Sequence, residues 1–314
     1  MKRVYWFLAL LVSGLIVWGL FFYPVPVKKT IQVPYTMFKS GEQFTNASNL
    51  VKWYAPFTIN DTAGISKETG KHIITSGSYS AVISDISLFS AVIKAKHHGK
   101  EKAFSFTALT DSSEAAATFV TLAYHTTLFR KWFVKTVLEK NANKSLENLR
   151  DYMTDTRRFY GFEIQLVPVE DTLFLFSRRA VPVTQRKEAT KKIFEQLIAY
   201  AEKNGAGYNG NRIYYTLKSG DEITIFASIG VSNMTETAPD DVLQYKRMPY
   251  GKKLLMTSYQ GPFNQSDKAF KALEAFKADH TLSSMAIPFQ KFMSDGFDFE
   301  DDQVVQLKIY YPVF

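Results

Sequence analysis

Three hydrophobic rhythms follow one another along the chain. Residues 4–27 carry no charge and are rich in Leu, Val, Phe and Trp, with Lys2 and Arg3 before them and Lys28 and Lys29 after. Twenty such residues, wound as a helix, rise about 30 Å, the thickness of a bilayer's hydrocarbon core. Tyr5, Trp6, Trp18 and Tyr23 suit the two interfacial zones, and Pro24 and Pro26 stop the helix. A cleavable signal peptide is the competing reading, but it would end in a small-x-small site. Here the segment ends in Leu20, Phe21, Phe22 and Tyr23, so an uncleaved single-pass anchor over residues 1–27 is expected. The basic residues lean toward an inside N-terminus, with the bulk of the chain on the extracytoplasmic side.

Alternation then takes over. Residues 28–33 read as a strand closed by Pro34, and 35–54 as a helix burying Phe38, Phe44, Leu50 and Trp53. Four β-prone runs follow at 78–87, 89–97, 102–110 and 118–126, separated by Gly77, by Gly99 and by Asp111, Ser112 and Ser113. Such spacing predicts an antiparallel meander. Leu146, Leu149, Tyr152 and Met153 recur at helical spacing, with Ser145 as the expected N-cap.

Beyond residue 163 one pattern occurs twice. A strand over 172–182 precedes a helix over 185–203 with Ile193, Phe194, Leu197, Ile198 and Ala201 on one face, then strands over 212–217 and 222–231. The second copy runs as a strand over 252–259, a helix over 265–278, and strands over 289–293 and 304–313, with a turn at Ser294, Asp295 and Gly296. Neither strand–helix–strand–strand half covers its own sheet. The two are therefore expected to close face to face around a pseudo-two-fold axis, leaving a concave pocket at their seam. The fold class expected is α+β: an N-terminal transmembrane helix, a curled sheet gripping a helix, and a duplicated βαββ domain.

Composition narrows the chemistry. The chain has 314 residues and no cysteine, which removes disulfides, iron–sulfur clusters, zinc fingers and thiol nucleophiles. Its 26 Phe and 17 Tyr are numerous, and such rings fill cores and wall apolar pockets alike. The net charge of +8 favours anionic surroundings such as lipid headgroups, yet the basic residues are scattered and form no nucleic-acid-binding motif. There is no GxSxG, P-loop, GxGxxG or HExxH; "GAGYNG" at 205–210 follows a helix rather than a strand. His97 and His98 read as a surface turn beside Gly99, and Glu300, Asp301 and Asp302 lack the spacing of a calcium loop. No metal and no cofactor is expected.

Two stretches carry family resemblances. "KKTIQVPYTMFKSGEQFTNASNLVKWYAPF" and "SLENLRDYM" resemble the START-like, polyketide-cyclase-related (SRPBCC) helix-grip superfamily over residues 28–160. That resemblance implies a cavity between sheet and helix rather than any one reaction. "IFEQLIAYAEKNG", "IGV", "MPYGKKLLMTSYQGPF" and "IPFQKFMSDG…VVQLKIYYPV" resemble the GyrI-like effector-binding family over residues 163–314. Members of that family bind amphipathic, often cationic, small molecules in an aromatic pocket, and some are hydrolases.

The resemblance also points to the site. The family's acidic residue, in a segment like "FExYLNDP", falls on Gln290, and its Tyr falls on Phe292. An amide supplies neither a counter-charge nor a general base, so a neutral or weakly polar ligand is expected and catalysis by that route is not. By the internal repeat Tyr214 stands where Gln290 does in the other half, and Tyr259 is a fourth candidate. The reading that follows is a membrane-anchored binder of a small amphipathic molecule. It has no nucleic-acid contact, and any signal would pass through a protein partner. A hydrolase or cyclase-like enzyme is the alternative, and a module whose cavities are filled by side chains is the third.

Overall fold

The computed structural model describes residues 2–58, 63–68, 71–110, 117–170, 172–235, 242–284, 286–293 and 300–313. The expected turn at 294–296 and the break at 111–113 lie outside them. The chain divides into two compact units, Met1–Asp155 and Thr156–Phe314.

The first unit opens with α1 (Lys2–Phe22), a single apolar helix whose stretch Tyr5–Phe22 is long enough to cross a membrane and is not buried against the protein. After Tyr23 the chain enters β1 (Pro24–Val33), then the short helices α2 (Met37–Thr45), α3 (Ala47–Leu50) and α4 (Ala55–Thr58). The hairpin β2 (Gly64–Glu68) and β3 (Lys71–Ser76) leads into β4 (Tyr79–Ser84), β5 (Ser90–His97), β6 (Lys100–Thr110) and β7 (Thr118–Thr127). A turn of helix, α5 (Leu128–Trp132), precedes the long α6 (Val137–Thr154). Among the described residues these strands form a seven-stranded antiparallel sheet in the order β1-β7-β6-β5-β4-β3-β2.

The meander is as its alternation predicts, because β4 to β7 each bury every second residue. The helix expected over 35–54 is instead divided. Asn46 adopts an extended backbone and caps Ser48, which ends one helix and starts the next. Phe38, expected in the core, is 55% exposed, while Phe44, Leu50 and Trp53 are fully buried. Phe44 and Trp53 pack on Phe106 with ring centroids 6.0 and 5.6 Å away.

Ser145 is not an N-cap. The final helix starts two turns earlier at Thr136, whose hydroxyl accepts from the Glu139 amide while the Glu139 carboxylate accepts from the Thr136 amide. Ser145 lies inside the helix, where its hydroxyl donates to Asn141 and accepts from the Ala55 amide at 2.8 Å. Glu139, 1% exposed, also accepts from Thr126 and pairs with Lys102. Burial pushes its pKa up, but the bonds from Lys102, Thr126 and Thr136 outweigh that and hold the carboxyl below its usual range.

The second unit begins with α7 (Thr156–Tyr160) and β8 (Gln165–Pro168). One half follows as β9 (Leu173–Pro182), α8 (Arg186–Asn204), β10 (Tyr208–Ser219) and β11 (Glu222–Val231). After β12 (Leu243–Arg247) comes the other half, β13 (Lys253–Pro262), α9 (Asp267–Asp279), β14 (Phe289–Phe292) and β15 (Val304–Val313). Both helices stop where their sequence says: Gly205, at φ 71°, takes the left-handed C-terminal position of α8 at no steric cost.

The two halves do not close face to face. They join edge to edge into an eight-stranded antiparallel sheet, among the described residues, of order β12-β9-β11-β10-β14-β15-β13-β8. From the middle outward the order is the same in both directions: second strand, third strand, first strand, then one added edge strand. The physical reason is that β10 and β14 would each leave an unpaired backbone edge, and pairing them satisfies both. Helices α8 and α9 cover one face, against β9 and β11 and against β13 and β15.

Candidate functional site

The seam between the halves is two residues long in backbone register, Ile213 opposite Lys291 and Tyr214 opposite Gln290. Because side chains alternate across a strand, Tyr214 and Gln290 point to the helix-covered face, and Ile213 and Lys291 to the other. On the helix side the seam lies beneath the first turns of α8 and α9, which leave a cleft of about 190 Å³ between them. Tyr214, Tyr215, Phe263 and Phe270 wall it with rings, and Gln290 lies among them.

Gln290 is 3% exposed, and its side chain has no hydrogen-bond partner among the described residues. Its amide atoms are not among the buried polar atoms left without a partner; the two donors and the accepting oxygen open onto the cleft, the feature that distinguishes Gln290 from an ordinary strand residue. Tyr214 is 2% exposed and receives a long hydrogen bond of 3.4 Å from Thr190. Burial raises its phenol pKa, so the neutral hydroxyl is the species present near neutrality. Arg186 stands at the cleft's edge, over the Phe263 ring at 5.1 Å and paired with Asp301. Lys187 pairs with Glu300 beside it, so the acidic residues 300 and 301 fasten the start of α8 to the loop before β15.

The other two sequence candidates do not reach the cleft wall. Phe292 shares the face of Gln290 but packs within the core instead of lining the cleft, with its ring 6.3 Å from Phe194 and 5.8 Å from Tyr214. Tyr259 donates to the Pro262 carbonyl at 2.6 Å and packs within the same core, 6.5 Å from Phe162. Period two assigns a face, not a position along it, and position relative to the cleft is what separates these two from Gln290.

A second cavity lies on the opposite face of the same sheet. It is an apolar groove of about 240 Å³, walled by Phe174, Phe176, Ile213, Phe226 and Phe289, and Tyr215 borders both cavities. Lys246 places its ammonium 3.3 Å from the centroid of the Phe176 ring, and burial, then Arg178, lowers its pKa. The sequence signal was available in "LFLF", where Phe174 and Phe176 alternate with Leu173 and Leu175. Among the described residues no group of three His, Asp or Glu side chains is placed to hold a metal ion.

No family model matches the chain, and no curated protein matches it. Solved structures do. The crystal structure of the EcmrR C-terminal domain aligns with 49% of this chain and 98% of its own length, at 13% identity and a TM-score of 0.39. A hydrolase from Listeria innocua aligns over 48% and 91%, at 11% identity and a TM-score of 0.35. The Zhui aromatase/cyclase from Streptomyces sp. R1128 aligns over 44% and 96%, at 11% identity and a TM-score of 0.33.

Proposed function

We propose that this chain is a membrane-anchored binding protein for a small amphipathic molecule, and that the seam cleft of the second unit is where the molecule is held. The observation that carries the reading is Gln290: an amide with no side-chain hydrogen bond among the described residues, open to an aromatic-walled cleft. In this role the Gln290 amide hydrogen-bonds a neutral polar group of the ligand, Tyr214 adds a hydroxyl opposite it, and Phe263 and Phe270 cover the ligand's apolar body. In chain order the anchor comes first, the helix-grip part of the first unit follows from Pro24 to Asp155, and the binding unit runs from Thr156, with the soluble part on the extracytoplasmic side. The apolar stretch Tyr5–Phe22 supports the anchor.

The chemistry proposed is binding without turnover. An amide at position 290 gives no general base, and Asp301 is engaged by Arg186. The groove on the open face supports a second seat, for a ligand more apolar and anionic, since Lys246 stands over its aromatic wall. Binding of a panel of neutral and charged amphipathic probes to the full chain in lipid nanodiscs separates the two. Loss of binding in Gln290→Leu but not in Phe176→Ala assigns the cleft, and the reverse assigns the groove. Binding unchanged in both variants sinks the proposal.

A further inference from the structure

We propose that the segment Leu128–Val137 is a second membrane contact, lying in the headgroup zone of the bilayer that holds α1, with its aromatic side chains inserted and its basic ones set against anionic lipid. The inference rests on the anchor reading of α1 and begins from strand register. Pro24, the first residue of β1, is the partner of Thr127, the last residue of β7. Helix α1 therefore enters, and α5 leaves, the same end of one strand pair. The two are in contact, for Phe21 stacks on Phe129 with ring centroids 4.5 Å apart.

What that end of the unit presents is unusual for a surface meant for water. Trp132, Phe133 and Val134 are consecutive and 73, 72 and 59% exposed, and Phe22 and Tyr23 beside them are 69 and 55% exposed. Scattered apolar side chains are normal on a soluble protein, whereas a contiguous group of this size marks a contact surface. Arg130, Lys131 and Lys135 are interleaved with them and exposed. Aromatic rings with basic neighbours, next to the end of a membrane-spanning helix, are the composition that settles at an anionic bilayer interface.

The segment is also held in place. Glu139 accepts from the Thr126 hydroxyl just before it and from the Thr136 amide near its end, so one buried carboxylate fixes both stems. Such a presentation removes part of the ordering cost of membrane contact. Glu139 is thereby a positioning residue for the contact, not a part of it.

The chain has no cysteine, so single cysteines can be labelled with an environment-sensitive fluorophore in the full-length protein. Three positions suffice: Leu11→Cys in α1, Trp132→Cys in the segment, and Leu88→Cys, 66% exposed, in the turn between β4 and β5 at the other end of the strands. The protein is reconstituted in phosphatidylcholine vesicles with and without phosphatidylserine, and nitroxide lipids serve as quenchers. The proposal expects the label at 11 to be quenched by deep nitroxides and the label at 132 by shallow ones, more strongly with phosphatidylserine, with the label at 88 unquenched. Reversing Arg130, Lys131 and Lys135 to Glu should remove the quenching at 132 and leave that at 11. An unquenched 132 beside a quenched 11 overturns the contact alone. An unquenched 11 overturns the anchor, and the contact with it. A label at 132 that is shielded from water yet untouched by lipid quenchers would put a protein on this surface and overturn the proposal.

Discussion

Replacing Gln290 by Leu should make the unliganded protein more stable while abolishing binding. The side chains are close in volume, so packing changes little. A buried amide left wholly without partners costs about 1–3 kcal/mol. The cleft's 190 Å³ admits water, at roughly 30 Å³ per molecule, which returns part of that cost. The net gain expected from Leu is therefore at the low end, about 1 kcal/mol, or roughly 2–4 °C in the midpoint of a unit of this size. Differential scanning calorimetry of the full chain in nanodiscs reads this directly. The two units can be told apart, because all four tryptophans precede residue 156 and a transition silent in tryptophan fluorescence belongs to the second unit. A midpoint that falls in Gln290→Leu would mean that the amide has a structural partner, and the argument from its lack of one would be refuted.

Phe292→Ala should destabilise the second unit by about 3–5 kcal/mol whether or not ligand is present, because the ring is packed between Phe194 and Tyr214; calorimetry showing less than about 1 kcal/mol would return Phe292 to the cleft wall. Glu139 has a folded pKa below its unfolded one, so its contribution is full above about pH 4.3 and is lost as pH falls through the folded value. Tryptophan-monitored denaturation of the first unit should then show stability falling with acidity over that window, and Glu139→Gln should flatten the slope; parallel pH profiles would contradict it. Gln290→Glu should shift the cleft's preference toward cationic amphipathic probes, since it supplies a buried counter-charge. Equal affinity for cationic and neutral probes in that variant would show that position 290 does not face the ligand.

Much of the architecture is legible in the sequence because it is set locally. The runs at 172–182, 185–203, 212–217 and 222–231, and their second copy, became strands and helices with ends shifted by a few residues. What escaped had a weak local pattern or was set by partners distant in sequence. Strands β2, β8 and β12 lie at or next to sheet edges, where one-sided burial and hence alternation is weak. The polar stretch Glu139 to Lys144 hid the start of α6, although Thr136 and Glu139 spell a capping box. Edge-to-edge joining of the halves follows from the need to pair β10 with β14, which no hydrophobic pattern encodes. At the site, the repeat aligned Tyr214 with Gln290, and the structure sets them as backbone partners. The placement of Phe292 and Tyr259 away from the cleft, and the aromatic groove on the opposite face, depend on packing between strands that are remote along the chain.

Native mass spectrometry of the full chain, released from lipid nanodiscs beside its Gln290→Leu variant, bears most directly on the seam cleft as a ligand site. The account predicts that the wild-type chain carries a small-molecule adduct, shed on collisional activation, that the variant lacks. The same adduct on both chains, or none on either, would contradict it.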